Sequence, residues 1–280
     1  MRLSEINIYP VKGLRGISLT ERETTERGFR HDRRWMLIDK DGKFMTQREF
    51  PLMAAIGVEV LDGGLRFSFM GMKGGGLLAP FQPTGDGRMR VQIWNSVCDA
   101  ALYEDAISYW FCNLLQTECR LVYMPEDSRR GINPLFARGD EIVSFADGYP
   151  FLVIGEGSLA DLNSRLEMAL PIDRFRPNLV VAGSEAFAED SWQKVRIGAA
   201  VFRATKPCAR CVVTTVDQAL GVFSGKEPLK TLAGYRLAKD VFPDNFASLG
   251  MNPNDVLFGQ NLVCETPGVM VRVGDEVEAL

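Results

Sequence analysis

The chain has 280 residues, 46% of them hydrophobic and 24% charged, with a formal net charge of -4. That is ample for a packed core in one large domain or two ordinary ones, and it shows no basic stripe of the kind a dedicated nucleic-acid binder carries. No apolar run approaches the roughly 20 residues of a membrane helix, and the alternating start MRLSEINIYPVKG reads as a strand, not as a signal peptide. Neither nucleic acid nor membrane is therefore expected as a partner. The cysteines (98, 112, 119, 208, 211, 264) lie scattered, mostly in apolar contexts, which fits a reducing, cytoplasmic setting better than a disulfide framework. The single histidine, His31, rules out a zincin pair and stands beside no serine or cysteine motif, so it reads as structural or surface.

In chain order, INIYPV, WMLIDKDGKFMTQ, AAIGVEVLDGGLRFSFM and MRVQIW predict short strands, with hairpin turns at Asp41-Gly42 and Asp62-Gly63. The run Gly74-Gly75-Gly76 lacks a following Lys-Ser/Thr and reads as a loop, not a phosphate-binding one. LYEDAISYWFCNLLQ repeats its apolar residues at helical spacing, which makes Cys112 a core thiol. The polar stretch from Pro125 to Pro134 reads as a linker or mobile loop. A boundary there divides the chain into a β-rich domain at 1–123 and a second domain at 124–280.

Beyond it, PFLVIGEGSLADLNSRL predicts strand, turn and helix, with Ser158 and Asp161 spaced as a capping box. RPNLVVAG, KVRIGAAVFRAT, CVVTTVD, QNLVCE and VMVRVGDEVEAL predict strands, and EPLKTLAGYR a short helix. The whole is expected to be mainly β, an irregular barrel with peripheral helices, because strands and helices do not alternate regularly. GEGSLA partly matches a dinucleotide fingerprint, but Glu156 would face the incoming pyrophosphate and the βαβ pattern is missing. A helix start is the better reading.

The stretch Lys206-Pro-Cys208-Ala-Arg210-Cys211-Val-Val-Thr-Thr-Val-Asp217 carries the chemistry. A zinc half-site lacks its second pair of ligands. A thioredoxin-like pair needs a helix after it, whereas Val-Val-Thr-Thr-Val predicts a strand. Inert buried cysteines fit poorly with three cations and no acid across Arg203–Arg210. Lys206 and Arg210 favour a nearby thiolate and could also receive an anion. The residues thus describe a soft ligand beside an anion site, without naming the metal. Trp35 and Trp192 read as core, and Asp217 as a turn residue.

The ordered blocks IYPVKG, DRRWMLID, FADGYPFLVI, SLADLNSR, FRPNLVV, EDSW, PCARCVVTTVD, KEPLKTLAGYR, FGQNL and VRVGDEVE run from about residue 3 to 280. Together they resemble the MOSC family, in its branch with an N-terminal MOSC-type barrel domain, which includes the mitochondrial amidoxime-reducing components. The resemblance implies a molybdenum cofactor, Mo-molybdopterin, a pterin dithiolene with a phosphate tail, whose metal is held by Cys211. Cys208 then lines the site. Cofactor contacts carry over to Lys12, Arg33, Gly148, Tyr149, Arg176, Asn178, Ala209 and Arg210. Gly13 stands where the amidoxime-reducing components commonly have Ser, and Gly148-Tyr149 where they have Thr-Ser, so backbone NH groups would replace those hydroxyls. The implied activity is reduction of N-hydroxylated small molecules such as amidoximes, hydroxylamines and N-hydroxylated bases. The cysteines show no iron–sulfur spacing, so a separate flavoprotein or iron–sulfur protein is expected to supply electrons. The competing functions are a sulfur carrier using a cysteine persulfide and a cofactor storage or delivery protein.

Overall fold

The computed structural model describes residues 1–69 and 76–280. Its largest element is an eight-stranded sheet, ordered Val277–Ala279, Lys194–Ile197, Ala200–Arg210, Val256–Cys264, Phe151–Gly155, Leu179–Ala182, Arg2–Ile8 and Ile17–Leu19. Neighbours are antiparallel except Phe151–Gly155 with Leu179–Ala182, a pair whose crossover contains the helix Glu156–Asn163. The part of Arg2–Ile8 that Ile17–Leu19 leaves unpaired bonds instead to the chain before Val277. Leu3 N donates to Asp275 O at 2.9 Å, and Gly274 N to Leu3 O at 2.8 Å. These bonds close the sheet into a barrel.

Leu3, Ile6, Ile8, Phe151, Val153, Val181, Phe202 and Leu262 fill one core with the period of two expected of strands. Leu152 and Ile154, on the opposite face of their strand, pack with Leu162 and Phe258. Burial on both faces explains the uninterrupted apolar run of FLVI.

A five-stranded sheet runs Arg88–Ile93, Ser96–Leu102, Arg120–Tyr123, Trp35–Ile38 and Val11–Lys12. Trp35, Leu37 and Leu121 meet Phe111 of the helix Asp105–Leu115 on one side, while Met36, Ile38 and Val122 pack with Val91 on the other. Asp62-Gly63 joins the hairpin of Gly57–Leu61 with Gly64–Ser68. Gly42 takes a φ of +80° in the predicted turn, which Asp39 clamps by accepting from the NH groups of Asp41 and Lys43. The protein is mainly β, as its strand pattern predicts. No helix among the described residues is long and apolar enough to cross a membrane.

Several local expectations are corrected. Val212–Thr215 is a 3-10 turn, not the start of a strand, and only Val216–Asp217 pairs afterwards. The Thr214 and Thr215 hydroxyls donate back to the carbonyls of Cys211 and Val212, an alternative to extended structure that β-propensity overlooks. Ser158 is no helix cap. The helix starts after Gly155, and Ser158 Oγ donates to the buried Glu189 carboxylate, which also accepts from Gly155 N at 3.2 Å. The stretch from Pro125 to Pro134 is pinned rather than free, with Ser128, Arg130 and Ile132 buried. Arg27 donates to Glu126 O and Ser128 O, both at 2.6 Å, so guanidinium groups satisfy irregular backbone there. The short helix expected in EPLKTLAGYR is present, as the single turn Leu229–Leu232. Gly74 and Gly75 of the glycine run, and Met70, lie outside the described residues.

The Glu189 carboxylate occupies the start of the helix that begins within GEG, where the rejected dinucleotide reading would put a phosphate. Glu189→Ala leaves Gly155 NH and Ser158 without their partner, and should destabilise the protein by about 1–3 kcal/mol in denaturant unfolding. An unchanged unfolding midpoint would show that this carboxylate is dispensable.

Candidate functional site

Cys211 sits where the long strand Ala200–Arg210 ends. The strand's register with Val256–Cys264 shifts twice around Pro207, a bulge forced by the missing NH, and this re-aims the residues that follow. Cys211 itself is extended (φ -132°, ψ 178°) and precedes the 3-10 turn, where its carbonyl accepts from Thr214 N and Oγ1, both at 3.0 Å. Its position is therefore fixed from both sides.

The sulfur faces a cleft with about 930 Å³ of atom-free space, part of it open to solvent. Lys12, Arg33, Gly148, Tyr149, Arg176, Asn178, Cys208, Ala209, Arg210 and Cys211 all line it, so every position expected from the family blocks comes together in one place. Arg48 lines it too, and its Nη2 donates to Cys211 Sγ at 3.1 Å. Arg210 donates instead to Cys208 Sγ at 3.0 Å and to Phe175 O at 2.6 Å. The two cysteines thus have separate arginines and unequal surroundings. Lys206, expected near the thiols with Arg210, points elsewhere and donates to Gly250 O, while Arg203 pairs with Glu141 at 2.6 Å. The register shifts on either side of Pro207 break the strand's alternation between Lys206 and the residues Cys208 and Arg210, so their even spacing does not put them on one face.

Arg33 and Arg176 lie against the Tyr9 ring, 4.5 and 4.2 Å from its centroid. Both adopt left-handed backbone, with φ of 49° and 56°, a strain that marks functional turns. Arg33 Nη1 donates to the buried Asp32 at 2.6 Å and to Asn178 Oδ1 at 3.0 Å. Burial opposes the charge of Arg33, but Asp32 outweighs it and raises its pKa. Burial lowers Arg176 to about 10. Asn178 is spent on the scaffold: it also accepts from Leu152 N and donates to Asn7 O, and so it positions Arg33. Arg176 Nη1 donates to Gln218 Oε1 at 3.1 Å. Gln218 and Gln47, both buried, exchange amide hydrogen bonds at 2.9 and 3.2 Å, and Gln47 Nε2 also donates to Gly13 O at 2.7 Å.

Lys12 Nζ donates to Asp147 Oδ1 at 2.5 Å. Burial pulls Lys12 down to about 8 despite that partner. Lys12 and Trp94 hold the carboxyl of the exposed Asp147 well below the usual range. The backbone of this loop is gripped by buried Arg130, which donates to the carbonyls of Ser144, Ala146 and Asp147. Gly148 has open space where a Cβ would stand. Tyr149 Oη and Arg210 Nε are buried without partners among the described residues.

Arg48, Asp147 and the glutamine pair were not legible in sequence, since no local spacing links Gln47-Arg48 to a site some 163 positions later. Asp147 was within reach: it directly precedes Gly148 in FADGYP. The other single features behave as expected. Trp35 and Trp192 are buried, and Asp217 clamps a turn by accepting from Ala219 N and Leu220 N. His31 stacks on Phe81, and burial beside Arg22 lowers its pKa to about 4, so it stays neutral.

Comparison with known proteins fits this geometry. The model of the MOSC N-terminal beta barrel domain matches residues 1–118, and that of the MOSC domain matches residues 140–278. Mitochondrial amidoxime-reducing component 1 of Mus musculus is 36% identical over 292 residues, covering 99% of this chain and 82% of its own. The Homo sapiens protein of that name is 35% identical, with the same coverage. Mitochondrial amidoxime reducing component 2 of Bos taurus is 34% identical, covering 98% of this chain and 82% of its own. The chain belongs to the MOSC family, in the branch with an N-terminal MOSC barrel domain that includes the mitochondrial amidoxime-reducing components.

Proposed function

We propose that the protein holds a molybdenum cofactor through Cys211 and reduces N-hydroxylated compounds such as amidoximes, hydroxylamines and N-hydroxylated bases. The observation that carries this is the convergence of Cys211 with Lys12, Arg33, Arg48, Arg176 and Arg210 in one cleft, where Asp147 is the only acid among the described lining residues. Such a set suits a phosphorylated pterin better than a bare ion. Among the described residues no three His, Cys, Asp or Glu gather as a metal site, so a lone thiol suits a metal that arrives with ligands of its own. The names of the relatives supply the substrate class.

Lys12, Arg33, Arg176 and Arg210 would hold the phosphate and pterin by charge-assisted hydrogen bonds, with the unpartnered Tyr149 Oη and Arg210 Nε as further donors. Backbone NH groups at Gly148-Tyr149 do what the relatives' hydroxyls do. Arg48 balances the charge that a ligating thiolate carries and fixes the direction of its sulfur. When bound, the cofactor supplies the two-electron chemistry that removes oxygen from nitrogen. Electrons come from a separate flavoprotein or small iron–sulfur protein. All six thiols are free, including Cys112 and Cys119 with their sulfurs 3.8 Å apart, which supports a cytoplasmic setting.

Freshly purified protein should contain molybdenum and reduce benzamidoxime with an artificial electron donor, and Cys211→Ala should lose turnover while keeping its unfolding midpoint. Full activity in Cys211→Ala would falsify the assignment. Labile sulfur without molybdenum would replace it by the sulfur carrier, and molybdenum without turnover by a storage protein. A second prediction concerns Lys12, protonated below its pKa of about 8 and neutral above it. Affinity of cofactor-free protein for pyrophosphate should fall as the pH rises through that value, and Lys12→Arg should flatten the fall. Identical profiles for the two proteins would remove Lys12 from the anion site.

A further inference from the structure

Trp94 stands between the hairpin strands Arg88–Ile93 and Ser96–Leu102, 43% exposed, with a φ of +53°. A bulky residue in left-handed backbone is an outlier where glycine or asparagine would serve the turn at lower cost. Its contacts show what the conformation achieves. Nε1 donates to Asp147 Oδ1 at 3.1 Å, the Phe44 ring meets it edge-on at 4.9 Å, and the Arg48 guanidinium lies 4.5 Å from its centroid. Arg48 in turn donates to Cys211 Sγ. One exposed indole therefore fixes both a carboxylate and a guanidinium of the cleft that contains the thiol.

Those two groups still have bonding capacity. Both recorded bonds to Asp147, from Lys12 and Trp94, fall on Oδ1, and among the described residues Oδ2 has no partner. The side chain is 69% exposed. Arg48 uses only Nη2, so among the described residues its Nε and Nη1 are likewise uncommitted. An amidoxime carries an amino group and an N-hydroxy oxygen on one planar N–C–N unit. The amino group suits a carboxylate acceptor, the oxygen suits a guanidinium donor, and the plane suits an indole face.

We propose that Trp94, Asp147 and Arg48 form the substrate subsite. It selects planar N-hydroxylated amidines and bases, which carry an N–H on the second nitrogen of an N–C–N unit, over oximes and hydroxylamines without that second nitrogen. This takes the reductase proposed above as its starting point. Asp147 receives the amino group, Arg48 receives the N-hydroxy oxygen on the side of Cys211, and Trp94 is both the platform and the positioning residue for the other two.

The test is calorimetric binding to the holoprotein without reductant, using benzamidoxime and benzaldoxime, which lacks the amino group. Molybdenum content and unfolding midpoint are measured on each sample. The wild type should bind benzamidoxime about tenfold more tightly than benzaldoxime, the scale of one charge-assisted hydrogen bond. Asp147→Asn should abolish the preference with molybdenum retained. Trp94→Ala should weaken both ligands, and Trp94→Phe should restore benzaldoxime binding more fully than benzamidoxime binding. Equal affinities in the wild type, or wild-type discrimination in Asp147→Asn, overturn the subsite even if the protein holds molybdenum and turns over. A wild type without molybdenum overturns the proposed function instead, while a preference lost in Asp147→Asn still supports the subsite.

Discussion

Two guanidinium groups share one tyrosine ring, and the cleft takes its shape from that arrangement. Arg33 and Arg176 would repel each other in a poorly solvated site. The Tyr9 ring and the buried Asp32 carboxylate offset that repulsion, and Asp32 also accepts from Tyr9 N at 2.7 Å. Three stretches far apart in sequence, around Tyr9, Asp32-Arg33 and Arg176–Asn178, are thereby locked into one unit. Tyr9 Oη donates to Pro177 O, completing the circuit. Removing any member leaves a buried charge or an unpaired donor, so the cation cluster is assembled together or not at all.

The second constraint is the amide pair of Gln47 and Gln218. It joins the stretch before Arg48 to the stretch after Cys211, and through Arg176 and Gly13 it reaches both sides of the cleft. Arg48 is consequently presented to the thiol by a buried anchor on the preceding residue. The positive charge beside the sulfur comes from Arg48, which precedes it by 163 positions, not from its own strand.

The sequence was legible where its signal was local or where blocks could be matched in order. Strand alternation, Asp-Gly turns and the helical period around Trp110 and Phe111 produced the β-rich architecture, because inward and outward positions are set by geometry alone. The blocks brought together the lining residues from Lys12 to Cys211. What failed was local inference across a tertiary choice. Val-Val-Thr-Thr has strong β-propensity, yet hydroxyl-to-carbonyl bonds fold it into a tight turn. The cation Lys206 looked like a neighbour of the thiols, yet the strand carries it to another partner. Arg48 and the glutamine pair carried no signal, since an arginine after a short strand is ordinary until the fold delivers it to sulfur.

The closure of the barrel also sets an order of assembly. The bond from Arg2 to Gly274 spans 272 positions, so the closing seam at Arg2 and Leu3 forms only after nearly the whole chain has left the ribosome, whereas Ile17–Leu19 and Leu179–Ala182 can pair with Arg2–Ile8 earlier. Until then the outer edge of the strand at Arg2 and Leu3 is unpaired, the kind of surface that chaperones guard and that slows folding through high contact order. Arg176 and Asn178 immediately precede Leu179–Ala182, so the cation cluster can assemble when that strand docks on Arg2–Ile8, ahead of the last seam. Vectorial synthesis therefore yields a chain that can assemble its cation cluster before it hides its last open edge.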